Sequence, residues 1–257
     1  MIPETIRVAT YNIHSGVGSD GRRSLQRILD VIHSLQPDVI ALQEVGSLNN
    51  YEEGKHQFRI LEESGFRLLA GPVGPGYYGN ALLVRLPVLE QGLQALSYED
   101  REPRGLLHAR LQTSRTFADR IVGPPHQKEN PPRGAFQVFA THLGLRNRER
   151  WQQVRQIKDF IEGRTKPHEP WLLMGDMNIW FPFSAQIRYL KQNLHLRWHR
   201  ARTFPSRFPL LSLDRLALSS HWHVMHEGRL RDKVARKASD HLPFYMDLAL
   251  SDHLPQP

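Results

Sequence analysis

The 257-residue chain has no cysteine. That absence excludes a disulfide framework, a thiol nucleophile and any zinc or iron–sulfur site built on thiolates. Long apolar runs are missing too. Stretches such as Ala81 to Val84 and Trp171 to Met174 stop far short of the ~18 residues a membrane helix needs. The start, Met1-Ile2-Pro3-Glu4-Thr5, lacks the basic leader of a secretory signal, so a cytoplasmic protein with no transmembrane segment is expected. No linker or internal repeat interrupts the chain, and 1–257 reads as one domain. Acidic charge is the scarcer sign, 26 Asp+Glu against 34 Lys+Arg, for a formal net charge of +8. The excess favours an anionic partner without choosing among nucleic acid, phospholipid head groups and phosphorylated small molecules.

What is present is an alternation of strands and helices. Ile6 to Ile13 mostly alternates apolar and polar positions, as a half-buried strand does. Ser24 caps a helix whose apolar positions Leu25, Ile28, Leu29, Ile32 and Leu35 keep helical spacing up to Pro37. Asp38 to Val45 then forms a buried strand, completing a βαβ-like opening. Further strands are expected at Phe66 to Ala70, Asn80 to Arg85, Gly92 to Ser97, Gly105 to Gln112, Ala135 to His142, Trp171 to Met174, Leu213 to Leu218, Trp222 to Glu227 and Phe244 to Leu250. Helices are expected near His56 to Glu63 and over Arg146 to Ile161 and Ser184 to Gln192. Residues 113–134, with four prolines, read as an exposed loop. About eleven strands with few helices suggest two packed sheets with helices outside, an α/β fold.

Several of these strands end in a small acidic, amide or imidazole side chain. Asn12 closes the first strand and Glu44 the second. His142 ends Ala135 to His142, Asp176 and Asn178 follow Trp171 to Met174, Asp214 opens Leu213 to Leu218, and Asp240 with His241 precedes the last strand. Burying so many polar groups unpaired would be costly, so they should meet one another or an ion. Carboxylates with amide oxygens suit a hard divalent cation, Mg²⁺ or Mn²⁺ in its place. Histidines beside such a site are candidates for acid–base work or for stabilising developing charge. Metal-assisted attack of water on a phosphate ester follows as a reaction class.

Seven short motifs occur in order: Tyr11-Asn12, Leu42-Gln43-Glu44-Val45, Gly79-Asn80, Thr141-His142-Leu143, Gly175-Asp176-Met177-Asn178, Leu213-Asp214-Arg215 and Ser239-Asp240-His241-Leu242-Pro243. Together they resemble the endonuclease/exonuclease/phosphatase superfamily, which includes deoxyribonuclease I, exonuclease III-type apurinic endonucleases and neutral sphingomyelinases. The resemblance implies a four-layer α/β sandwich, two packed mixed β-sheets flanked by helices. It also implies Glu44 as the main metal ligand with Asn12 beside it and Asp240 completing the metal environment. Asp176 and Asn178 would then orient the attacking water, with Asp176 as general base. His241, held in its tautomer by Asp214, and His142 would face the phosphate. Asn80 and Arg104 become candidate substrate contacts, although Gly79-Asn80 is also a common turn dipeptide.

The opening Thr10 to His14, Arg104-Gly105 and the run Arg202 to Leu211 are similar to a little-characterised bacterial branch of that superfamily. The expected activity is a Mg²⁺-dependent phosphoesterase directed at nucleic acid or a phospholipid head group. The alternative is a catalytically silent phosphate- or nucleic-acid-binding protein on the same fold. His221-Trp222-His223 has the spacing of two ligands on one strand face but no acidic neighbour, and reads as an exposed strand edge.

Overall fold

A computed structural model describes residues 5–74, 76–113, 134–181 and 183–250. Most of the loop expected at 113–134 lies outside the described residues.

The first unit forms as its pattern dictates. Strand β1 (Thr5–Asn12) leads through a short 3-10 turn to helix α1 (Leu25–Leu35) and strand β2 (Val39–Gly46). Ser24 Oγ accepts the Arg27 N–H at the helix start, and Gln36 closes it in the left-handed conformation ahead of Pro37. All five expected apolar positions of α1 are buried. Helix α2 (Tyr51–Glu62) begins earlier than expected, because Asn50 caps it and Glu52 and Glu53 favour the positive end of its dipole. Strands β3 (Arg67–Gly74), β4 (Tyr78–Val84), β5 (Val88–Ala95) and β6 (Gly105–Gln112) follow. A second βαβ unit comprises β7 (Ala135–His142), α3 (Asn147–Arg164) and β8 (Trp171–Asp176). The chain continues through α4 (Ala185–Leu194), β9 (Arg197–Arg200), β10 (Asp214–Leu218), β11 (Trp222–Arg229), α5 (Ala235–Ala238) and β12 (Phe244–Leu250).

Two six-stranded sheets result, ordered β11-β12-β1-β2-β4-β3 and β5-β6-β7-β8-β10-β9. The pairs β1–β2 and β7–β8 are parallel and the other named pairs antiparallel, so both sheets are mixed. Val8, Val39 and Leu82 of the first sheet meet Leu107, Phe136 and Leu172 of the second in one buried cluster between the sheets. The outer face of the first sheet packs on α1 and α2, and that of the second on α3 and α4. This is the expected four-layer α/β sandwich of deoxyribonuclease I type. Among the described residues, no helix is long and apolar enough to cross a membrane.

Strand β9 corrects the sequence-based count. No strand was expected at Arg197 to Arg200, yet these four residues pair antiparallel with β10. Trp222 is also fully buried and His221 nearly so, donating to or accepting from Ser219 Oγ through Nδ1 at 3.2 Å. Only His223 of that triplet is exposed, so the triplet is not an exposed edge throughout.

Candidate functional site

Both parallel pairs point their C-terminal ends the same way. The register sets Asn12 beside Gln43 and His142 beside Asp176, and β10 enters antiparallel with Asp214 opposite Asp176. Local backbone then aims the side chains. The β2–β4 register shifts between Leu42 and Val45, and Glu44 sits at φ 57°, so a bulge re-aims its carboxylate. Gly175 has φ 146°, and a Cβ there would lie 1.8 Å from Thr141 O. No larger residue could bring β8 so close to β7 immediately before Asp176. Asn178, at φ 48°, is a second non-glycine residue in the left-handed region.

The side chains form three linked groups. Asn12 Nδ2 donates to Glu44 Oε1 at 2.9 Å and to Asp176 Oδ2 at 3.1 Å, tying the two sheets together. The backbone N–H of His14 donates to Asn12 Oδ1 at 3.0 Å, which fixes the amide with its donor toward the carboxylates. In the second group Arg104 Nη1 lies 2.6 Å from His142 Nδ1, and Glu102 pairs with the same guanidinium at 3.0 Å. Asn178 Nδ2 donates to Leu143 O at 2.7 Å and stands 2.9 Å from His142 Nε2. In the third, His241 Nδ1 meets Asp214 Oδ2 at 2.8 Å, while Thr203 Oγ1 donates to the same oxygen. The groups converge on Asp176, whose Oδ2 is 3.8 Å from His142 Nε2 and 3.7 Å from His241 Nε2.

Asn12, Glu44, His142, Asp176, Asn178, Asp214 and His241 are therefore brought together. Asp240 stands at the rim, 3.8 Å from His14 Nδ1. Arg104 is buried behind His142 rather than in the open site. Asn80 uses its Nδ2 on Gly105 O at 3.1 Å, a carbonyl that Thr141 Oγ1 also engages, so this donor ties β4 to β6. Thr203, Glu102 and Ser239 were not anticipated. Ser239 Oγ donates to Asn12 O at 2.8 Å and so anchors the loop carrying Asp240 and His241. Ser239 stood inside a recognised motif, whereas nothing local marked Thr203 or Glu102.

Electrostatics separate the two histidines. Burial, reinforced by Arg104 and His241 against the pull of Asp176, pushes His142 down to about 3. Burial also opposes charge on His241, but Asp214, by charge and hydrogen bond, with Asp176 and Asp240, outweighs it and lifts His241 to about 10. One imidazole is thus neutral and the other charged at neutral pH. Burial raises the Glu44 carboxyl above its ordinary range; the Asn12 hydrogen bond opposes this and Asp176 adds to it.

Asp176, Asp214 and His241 can bring ligand atoms within 4.8 Å of one another. Since Asp214 already holds His241 Nδ1, they form a histidine–carboxylate pair beside Asp176 more readily than a chelate. Carboxylate oxygens without a lysine or arginine partner lie instead at Glu44, beside Asp176. These two carboxylates share one amide donor and have only imidazoles, no lysine or arginine, as ion-pair partners among the described residues. Such hard oxygen donors fit a divalent ion.

A model of the Endonuclease/Exonuclease/phosphatase family matches residues 9–253. The chain belongs to this family. Within it, the chain is 28% identical over 263 residues to the uncharacterised protein YbhP of Escherichia coli K12, covering 96% of this chain and 97% of that one. An endonuclease/exonuclease/phosphatase from Beutenbergia cavernae superposes with a TM-score of 0.74 at 23% identity, over 96% of this chain and 72% of its own. The mannosyl-6-phosphatase of Bacteroides thetaiotaomicron superposes with a TM-score of 0.68 at 19% identity, over 95% and 100%. The two superpositions confirm the sandwich fold, and the likeness to YbhP sets the chain beside an uncharacterised bacterial relative.

Proposed function

We propose that the protein hydrolyses phosphate esters in the presence of Mg²⁺ or Mn²⁺. The observation that carries this reading is the convergence on Asp176 of Glu44, a neutral histidine and a charged histidine at one end of the sandwich. Glu44 would hold the cation, with Asp240 at the rim; when bound, it would neutralise charge on the phosphate and polarise the ester.

The chain's own residues account for the remainder. His241, charged and held by Asp214, which Thr203 fixes in turn, presents Nε2–H toward the reacting phosphoryl oxygens, where negative charge grows in the transition state. His142 accepts from Arg104 at Nδ1, so its Nε2 carries the proton and donates into the same space. Asn178, whose Nδ2 donates to Leu143 O, lies beside that ring. Asp176 accepts the proton of the attacking water, and its other oxygen is held by the Asn178 N–H at 2.9 Å. The mannosyl-6-phosphatase acts on a phosphate ester with the same fold, which supports the class of reaction but names no substrate for this chain.

The test is hydrolysis of bis(p-nitrophenyl) phosphate with Mg²⁺, then with Mn²⁺, before and after chelation. Activity that disappears with chelator and falls about 100-fold or more in Glu44→Ala and His241→Ala is expected. A wild-type chain inert toward every phosphate mono- and diester tried, and binding no divalent ion, would leave a silent binding protein and sink the hydrolase reading.

A further inference from the structure

The surface around the mouth of the site is apolar where a soluble protein is ordinarily polar. Leu145, just beyond the end of β7, is 67% exposed. Trp180, Phe181 and Phe183, in the loop after Asn178, are 61%, 77% and 88% exposed. Phe208 and Leu210, in the loop from β9 to β10, are 76% and 68% exposed. That last loop folds back on itself: Leu210 and Leu211 both donate to Phe204 O at 2.8 Å, which thrusts the intervening residues outward. Its base touches the site, because the Phe204 ring lies 4.9 Å from that of His241. Trp180 and Leu210 line one cleft together with Arg200, Arg202 and Arg215, so the two loops are neighbours. Clustered apolar exposure of this kind marks an interaction surface.

A second feature borders the first. Arg202, Arg207, Arg229, Arg231 and Arg236 gather beside the same loop, and none has a carboxylate partner among the described residues. Their guanidinium contacts run instead to carbonyls and a hydroxyl: Arg229 to Arg202 O, Arg236 to Arg231 O at 3.0 Å, and Arg207 to Ser19 Oγ at 3.4 Å. Arg229 is held below the ordinary guanidinium range by burial and by Arg231, Arg202 and Arg236 around it. Mutually repelling cations without counter-charges are complementary to a surface dense in anions.

We propose that this face docks on an anionic phospholipid bilayer. The tips at Phe181, Phe183 and Phe208 enter the interfacial region and the arginine group meets lipid phosphates, which brings the ester of a membrane lipid to the site. A nucleic acid strand would also meet the arginines, but base stacking needs π faces. Leu145 and Leu210 have none, whereas an acyl interface accepts leucine, phenylalanine and tryptophan alike. Charge and insertion act together: each basic residue near an anionic surface is worth about fivefold in affinity, and each buried aromatic tip about tenfold.

The inference takes its substrate class from the hydrolase reading, but docking is measured separately. The wild-type chain and Glu44→Ala are floated with vesicles of phosphatidylcholine alone, or of phosphatidylcholine carrying about 30 mol% phosphatidylglycerol as the anionic component. Both chains are expected to bind the anionic vesicles and to ignore the neutral ones. Phe181→Ser/Phe208→Ser should bind about tenfold or more weakly, with unchanged melting temperature and unchanged hydrolysis of the soluble diester. Arg229→Gln/Arg231→Gln should lose the preference for phosphatidylglycerol. Failure to bind anionic vesicles, or binding that the phenylalanine variant leaves intact, overturns the proposal. So does single-stranded DNA that displaces the chain from vesicles and binds equally well to the phenylalanine variant. Since Glu44→Ala docks whether or not the protein is an enzyme, an inert but vesicle-bound wild type would refute the hydrolase reading alone.

Discussion

Arg104 illustrates how a single buried side chain decides the chemistry of its neighbour. A guanidinium has donors only, so His142 Nδ1, 2.6 Å away, must accept and the ring's proton must sit on Nε2. Protonating the ring would turn that hydrogen bond into a clash of two donors beside a fixed cation, which adds to the burial that already keeps His142 neutral. Arg104→Met should release the ring from its tautomer and lower kcat on the soluble diester about 100-fold with KM little changed. Arg104→Lys, still a donor to Nδ1, should recover part of the loss. Equal damage from both, with unchanged melting temperature, would show that the arginine does not act through His142. The sequence placed Arg104 among substrate contacts because the pairing joins residues 38 positions apart, which no local pattern records. Asp214 and His241 were legible as motif residues, whereas Thr203 was not, for the same reason: its partner is set by the fold-back of the β9–β10 loop.

Strand β6 shows the same division one level up. Its alternation was legible, and its bounds Gly105–Gln112 agree with the sequence pattern. What the pattern could not show is that His108 on this strand turns toward α3, with its ring 5.2 Å from that of Phe160 and Gly92 of β5 beneath it. Burial, then Arg164, lowers His108 to about 4 from 6.5, with Glu90 opposing. The unfolded chain takes up this proton below pH 6.5 and the folded chain only near pH 4, so in that window the unfolded state binds more protons. The stability His108 confers is full above pH 6.5 and is lost as the pH falls toward 4. His108→Leu should therefore lose less stability than wild type between pH 7 and pH 4.5, read from urea midpoints. Parallel decline of both chains would rule out His108 as the source of the slope. Strand β9 was missed because four residues, two of them exposed arginines, carry too short an alternation to read as a strand.

At the scale of the whole molecule, we propose that the two sheets unfold as one domain, since neither has a complete core without the other. The ends of the described chain meet in the middle of the first sheet, where β1 pairs with β12 and Arg7 bonds Asp247 at 2.6 Å. Trp222 then crosses between the sheets. It belongs to β11 of the first, packs edge-on against Phe136 of β7 at 5.2 Å, and donates Nε1–H to Trp171 O of β8 at 3.1 Å. Trp222→Ala empties the largest fully buried side chain among the described residues and leaves Trp171 O with the Ser219 N–H alone, at a cost of about 3–5 kcal/mol. A loss confined to one sheet would raise amide exchange in β11 and β12 only. A shared core predicts a single lowered melting transition, with exchange rising together in β2 of the first sheet and β7 of the second. Two separated transitions in Trp222→Ala would show that the sheets are independent units. The site depends on the outcome, because Asn12 of one sheet and Asp176 of the other are held 3.1 Å apart only while the sheets stay packed. Activity of Trp222→Ala should therefore vanish with the same midpoint as its fold, leaving no temperature at which a melted first sheet coexists with a working site.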